Sequence, residues 1–382
     1  MAREMKRWSD EHLEAMRREG DPIADAVIQT LKDSEEEKAS ALFKKIMKAD
    51  DPIPKGMPSA AAAYFDRTDD PPPWANQALV LQGEQLFAKY GAEFTVALFC
   101  SALPQCYAAQ KGVLVLTATG RMEGHGLVRR VMETAQFLYD VVVEGGIGPT
   151  GRGVRTAQKV RLMHAGIREV IREHATHIGF DETERGVPIC QCDLAYTLMT
   201  FSYVMLEGIG KLGITVSQSD QEAWVHLWRV VGYHMGVLDY NNPENLHQAR
   251  VFSEAYRRLY FGPSKEGRAL TAALVGFMKD VIPGRTFDGV ADGLIRVLNG
   301  DALADMLGIR PTRWTLVVNA EVALIRVMDR VVPGGMAMRP ALGHWFEELI
   351  ALIAKVSRGG KDSPFRIPQT VRRSRRAPRV RK

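Results

Sequence analysis

The sequence predicts an all-α protein built as a single large helical domain. Three observations lead there. Apolar residues recur at spacings of three and four along nearly the whole chain, the mark of helices with one buried face. Clusters of Gly, Pro, Asp and Ser interrupt them at helix-length intervals. The chain's 382 residues are 46% hydrophobic and 25% charged, which suits a packed core and excludes collagen-like and wholly disordered classes. A chain of this length buries enough surface to fold without staples, and no repeat period organises it.

Taken in order, residues 9–31 open with Ser9-Asp10-Glu11 as an N-terminal cap. They carry Leu13, Met16, Val27 and Leu31 at helical spacing, broken by Gly20-Asp21-Pro22. Residues 34–48 follow, capped by Ser34, with Leu42, Phe43 and Ile46 on one face and Asp50-Asp51-Pro52 as the stop. Asp69-Asp70-Pro71-Pro72-Pro73 is a rigid connector into a helix over 75–90, and a further apolar helix spans 94–107. Residues 113–118 (Val-Leu-Val-Leu-Thr-Ala) read as a short strand or loop. Long helices cover 125–144 and 153–176. After the Pro188 loop come 190–212, 218–236, 243–261, 265–281 and 287–297, and the stretch 300–357 is again helical. The chain divides into an N-terminal helical arm over 1–70, a main helical domain over 71–357 and a tail over 358–382.

The formal net charge of +5 hides an asymmetry. From Arg358 onward there are ten Lys or Arg residues against one acid, Asp362, so the rest of the chain is net acidic. With Gly359, Gly360, Pro364, Pro368 and Pro378, this polycation is expected to be disordered. It suits contact with an anionic surface rather than specific nucleic-acid recognition. Cys100, Cys106, Cys190 and Cys192 are too few for an extracellular disulfide framework. The first residues, Met1-Ala-Arg-Glu-Met-Lys-Arg-Trp8, are charged and carry no apolar leader. No run of about 18 uncharged apolar residues occurs, so no transmembrane helix is expected. These features set the expectation of a cytoplasmic protein.

Several motifs compete to carry chemistry. Gly146-Ile-Gly148-Pro-Thr-Gly151 matches G-x-G-x-x-G, but a dinucleotide site needs a strand before it and another after the following helix. Here helical pattern precedes it, so it reads as an interhelical turn. Cys190-Gln-Cys192 is too closely spaced for the usual zinc bite. His174 and His177 lack supporting carboxylates, and Glu244-x-x-His247 stands alone where a di-iron bundle needs two such motifs. His226 and His234 sit on an aromatic-rich helix and read as core histidines bonded to backbone. The segment that stands apart is Arg161-Leu-Met-His164-Ala-Gly-Ile-Arg168. Spacings of three and four put both arginines and the histidine on one stripe, beside Val160, Met163 and Ile167. That pattern suits a haem, whose iron accepts an imidazole and whose propionates need cations. On pattern alone, a core histidine flanked by surface arginines in helix salt bridges is the commoner outcome.

Three places in the chain resemble the rubber oxygenase (latex-clearing protein) superfamily, which includes the fungal oxygenase of mycophenolic acid biosynthesis. They are Met16-Arg-Arg-Glu-Gly-Asp21-Pro-Ile-Ala-Asp25, Arg130-x-x-Glu133-Thr134, and, thirty residues after Thr134, Arg161-x-x-His164-x-x-x-Arg168. The resemblance spans about residues 8–300. It implies a globin-like helical core holding one haem b, with His164 as the proximal iron ligand. It places Arg130 and Thr134 at the distal or edge side and gives Arg161 and Arg168 to the support of the haem and its helix. Rubber oxygenases carry Lys where this chain has Glu133, so the resemblance leaves the distal position to O2 or water. Glu133 then stands as a candidate general base or an anchor for a distal water. The implied reaction is oxidative C=C cleavage of an apolar, unsaturated or isoprenoid small molecule. A non-catalytic haem sensor or store, and a haem-free lipid-binding helical protein, are the alternatives.

Overall fold

The computed structural model describes residues 7–33, 59–118, 125–148, 151–281 and 289–331, without the side chains of 125–128, 281 and 326–331. The helix expected over 34–48, the stretch 332–357 and the basic tail lie outside the described residues. Among the described residues there is no strand, only one antiparallel bridge between Ala109 and Phe261. The fold is all-α.

Helix α1 (Asp10–Met16) starts where the Ser9 side chain accepts from the His12 amide at 3.3 Å. Helix α2 (Pro22–Lys32) starts at Asp21, with Pro22 in the first position, where its missing N–H costs nothing. Trp8, Leu13 and Met16 belong to the same hydrophobic core as the rest of the chain. Helix α2 packs on α3 (Ser59–Asp69) and, through it and directly, on the central helices. The N-terminal arm is thus built into the main body over its described length.

The helices expected over 75–90 and 94–107 form one continuous path, α4 (Gln77–Ala97), a wider π turn over Leu98–Ala102, and α5 (Leu103–Ala108). The path bends at Tyr90 (φ −124°, ψ 27°). Pro104 accounts for the π turn. Its nitrogen cannot bond the carbonyl of Cys100, so the Leu103 amide reaches back five residues to Leu98. Asn299 covers the freed Cys100 carbonyl, donating Nδ2 to it at 2.7 Å. Asn299→Leu should therefore cost about 1–3 kcal/mol in denaturant unfolding, whereas Val297→Ala, which frees no carbonyl, should leave the π turn intact.

The stretch Gln77–Ala108 is long and apolar enough to cross a membrane by composition, which the sequence reading did not anticipate. However, 72% of its most apolar window is buried inside the fold, so it is the core helix of the bundle. Against it lies α13 (Gln218–His234), with Phe94 stacked on Trp224 at 4.3 Å between ring centroids.

Residues 113–118 form a short helix, α6 (Val113–Ala118), rather than a strand or loop. Its first amide closes onto the Ala109 carbonyl at 2.9 Å, and no neighbouring strand offers a ladder. Helices α7 (His125–Val142) and α8 (Arg152–Glu173) follow as a packed pair. Two single-turn helices, α9 (Ala175–Ile178) and α10 (Glu182–Arg185), lead to α11 (Gln191–Phe201) and α12 (Tyr203–Lys211). The single helix expected over 190–212 is split at Ser202 (φ −91°, ψ −92°), whose carbonyl accepts the Trp224 indole N–H at 3.1 Å. The chain then continues through α13, α14 (Leu246–Tyr260), α15 (Lys265–Val281), α16 (Val290–Asn299), α17 (Asp301–Met306) and α18 (Arg313–Val331).

Candidate functional site

His164 sits midway along α8, a helix whose neighbours are α7, α2, α3 and α13. Its Nδ1 is enclosed by protein with no hydrogen-bond partner, whereas Nε2 is not sealed in the same way. Burial, then the positive charges of Arg168 and Arg130, push its pKa down to about 3, against a smaller opposing pull from Asp21. The ring is consequently neutral at any physiological pH, the form in which imidazole binds a metal.

Arg130, on α7, donates Nη1 to the Leu116 carbonyl at 2.9 Å. Its charge also reaches Cys106 and Tyr107 on α5. The structure therefore brings Arg130 and His164 into one electrostatic neighbourhood bounded by α5, α6, α7 and α8. Thr134 and Glu133 are one turn further along α7. The Thr134 hydroxyl donates to the Arg130 carbonyl at 2.9 Å. The Glu133 carboxylate accepts from Arg129 Nε at 2.7 Å and is largely enclosed. Arg129, one turn back on the same helix, is its ion partner.

The two arginines of the His164 stripe are placed differently from the propionate-binding expectation. Arg161 makes a two-pronged bond to Asp21, Nε to Oδ2 at 2.6 Å and Nη2 to Oδ1 at 2.8 Å, with both side chains buried. Arg168 donates Nε to Asp25 at 2.8 Å and Nη1 to the Ile189 carbonyl at 2.8 Å. The Arg161 guanidinium, forked onto a carboxylate in the interior, is a satisfied group, whereas Arg168 keeps a buried Nη2 with no hydrogen-bond partner beside its Asp25 ion pair. Their role is to fasten α8 to α2. Asp21 and Asp25 are the residues that sequence reasoning overlooked. The signal was present in the Gly20-Asp21-Pro22-x-x-Asp25 motif, as two acids one turn apart at a helix start.

The remaining histidines have structural partners. His226 Nε2 accepts from the Asn76 amide at 2.9 Å, just before α4. His234 is fully buried with Nδ1 3.0 Å from the Thr68 carbonyl, and His174 Nδ1 lies 3.0 Å from the Val170 carbonyl of its own helix. Cys190 and Cys192 are buried free thiols. Among the described residues, no three of His, Cys, Asp and Glu converge on one point.

The glycine-rich segment is the turn between α7 and α8, as its helical flanks suggested. Its amides already hold an anion: the Gly145 N–H donates to Glu84 Oε2 at 3.1 Å, and the Gly146 and Ile147 amides also bond this carboxylate. A Cβ at Gly151 would collide with the carbonyls of Gly145 and Gly146, and one at Gly153 would lie 2.6 Å from the carbonyls of Asp140 and Gly146. The glycines serve close backbone approach, and an internal carboxylate takes the place where a nucleotide phosphate would sit.

Comparison with known proteins agrees with this architecture. The family model described as "ER-bound oxygenase mpaB/B'/Rubber oxygenase, catalytic domain" matches residues 88–327, a span that includes α7, α8 and His164. The fold and this match define the class: an all-helical oxygenase. The chain belongs to the mpaB/B′ and rubber oxygenase family. It is similar to the rubber oxygenase of Streptomyces sp. (strain K30), with 26% identity over 321 residues, covering 82% of this chain and 76% of that protein. The solved structure of latex clearing protein LCP in the closed state shares the fold, with a TM-score of 0.75 at 22% identity, over 89% of this chain and 91% of that one.

Proposed function

We propose that this oxygenase is haem b-dependent and acts on an apolar, unsaturated, isoprenoid-type small molecule, cleaving a C=C bond with O2. The observation that carries the reading is His164: a ring held neutral, with one nitrogen unsealed and bonded to no described group, halfway along a helix pinned at both sides. A single imidazole of this kind would suit an iron whose other ligands a macrocycle supplies. The residues present fit such a group, in a globin-like setting of helices around it.

Bound haem supplies the redox and oxygen-activating chemistry. The chain supplies the rest. His164, through Nε2, would hold the iron. Val160 and the partly buried Met163 line the apolar side of α8, where they exclude water and favour a hydrocarbon over a polar ligand. Arg130 sets a positive field at His164, and the Thr134 hydroxyl braces the turn of α7 that presents it. The Glu133 carboxylate, bonded at Oε1 by Arg129 Nε, would accept an allylic proton or hold a water. Four free thiols suit a reducing compartment, so we assign the protein to the cytoplasm, with its basic tail free to touch anionic surfaces.

Purified protein loaded with haem should show a Soret band, consume O2 when given a short polyisoprenoid, and release carbonyl-bearing fragments. A folded chain that takes up no haem removes the cofactor. A loaded chain that neither consumes O2 nor yields carbonyls makes the group a store or sensor instead.

A further inference from the structure

Resting on the haem reading above, we propose that Asp21 and Asp25 are positioning residues for His164: through Arg161 and Arg168 they fix the imidazole from one helical turn on either side. A metal-ligating histidine ordinarily donates its second ring N–H to a carboxylate or carbonyl, which holds the ring in place. His164 has no such partner, because its Nδ1 is enclosed and unbonded. The task of holding the ring therefore passes to the helix that carries it. Residues 161 and 168 lie three before and four after 164, on the same stripe of α8. Both end on the first turn of α2, in the Arg161–Asp21 fork and the Arg168–Asp25 pair.

The two carboxylates are themselves held. Asp21 Oδ1 also accepts from the Ala24 amide at 3.3 Å, and Asp25 Oδ2 accepts from the Asp21 amide at 3.2 Å. Neither acid can swing away without uncapping α2. Two glycines make the room. A Cβ at Gly236 (φ +88°) would collide with Asp21 Oδ2 and lie 2.5 Å from Arg161 Nε. One at Gly20 would lie 2.9 Å from Asp25 Oδ2 and 3.4 Å from Arg168 Nε. The buried Gln191 amide then donates to the carbonyls of both glycines, each at 2.9 Å. One glutamine thus ties together the backbone beside both pairs. Isolated surface pairs contribute little and are seldom so enclosed.

The pairs also set the charge around the ring. Arg168 and Asp21 act on His164 in opposite senses. Removing a carboxylate leaves a guanidinium uncompensated near the imidazole. That extra positive potential disfavours ferric iron relative to ferrous iron, so the reduction potential should rise.

The test uses the full chain loaded with haem, in the variants Asp21→Asn, Asp25→Asn and Gly20→Ala, with Leu294→Ala in α16 as a destabilised control remote from α8. Asp25→Asn should raise the iron midpoint potential and weaken haem retention by about 10–100-fold, measured as transfer to apomyoglobin. Asp25→Glu should recover part of both. Gly20→Ala keeps every charge but crowds the Arg168 pair, so it should speed haem loss with a smaller change in potential. Should Asp21→Asn fail to fold, Asp25→Asn still decides, because the Asp25 carboxylate is 26% exposed and less embedded. Wild-type potential and retention in the Asp25 variant, or the same changes in Leu294→Ala at equal loss of melting temperature, would reduce the clamp to ordinary packing. That failure is separable from failure of the haem reading: the latter appears as no haem uptake by the wild type, or as uptake that survives His164→Ala.

Discussion

His164→Ala should fold normally and fail to hold haem. The imidazole makes no hydrogen bond to any described group, so a methyl in its place breaks no protein contact of that kind. What it removes is the only neutral, unsealed ring nitrogen at the centre of α8. The other histidines give the opposite result. His234→Ala deprives the Thr68 carbonyl of its partner and should lower stability by about 1–3 kcal/mol, with the Soret band of the folded fraction unchanged. His226→Ala strands the Asn76 amide in the same way. Pyridine haemochrome content and a urea melt on the three variants separate ligand from scaffold. Haem content unchanged in folded His164→Ala would falsify the assignment.

Glu133→Gln should cut turnover by about 10²–10⁴-fold while leaving the haem spectrum in place, the range for loss of a general base. The substitution keeps the shape of the side chain and its bond to Arg129 through the remaining carbonyl oxygen. The proton acceptor is what disappears. Arg129→Met provides the matching control: it removes the Arg129 bond and keeps the carboxylate, so turnover should fall far less. Oxygen uptake by Glu133→Gln within a factor of three of wild type would limit Glu133 to anchoring water. A shifted resting spectrum would make it part of the iron's own surroundings.

The helical class was legible in the sequence because its signal is local: spacing, caps and breakers act within a few residues of one another. The stripe of Arg161, His164 and Arg168 was legible for the same reason. What the arginines bind was not, since Asp21 lies 140 residues away and nothing in α8 specifies it. The merger of 75–90 with 94–107 escaped notice because the bend at Tyr90, next to Gly91, reads as a stop. The Cys100 carbonyl that Pro104 cannot bond is covered by Asn299, a residue 199 positions downstream. Residues 113–118 misled through their β-branched composition, where a four-residue backbone closure decided the matter. At Ser202 the break depends on Trp224 accepting the role of donor from another helix. At Asp21, Asn299 and Trp224 the deciding polar partner is distant in sequence, whereas at 113–118 it is a local closure that outweighed composition.

The turn between α7 and α8 has a consequence for phase. An α-helix rotates by about 100° for each residue added. Arg130 is on one side of that turn and His164, which feels its charge, on the other, so their relative placement depends on a fixed residue count between them. Glu84 grips the amides of Gly145 to Ile147, and the tight passage of Gly151 and Gly153 against the end of α7 leaves no slack. A single residue inserted there would turn the histidine a quarter of the way round its helix, away from its placement relative to Arg130. The thirty-residue interval between Thr134 and His164 is thus a mechanical setting of the site, held by a buried carboxylate on a third helix.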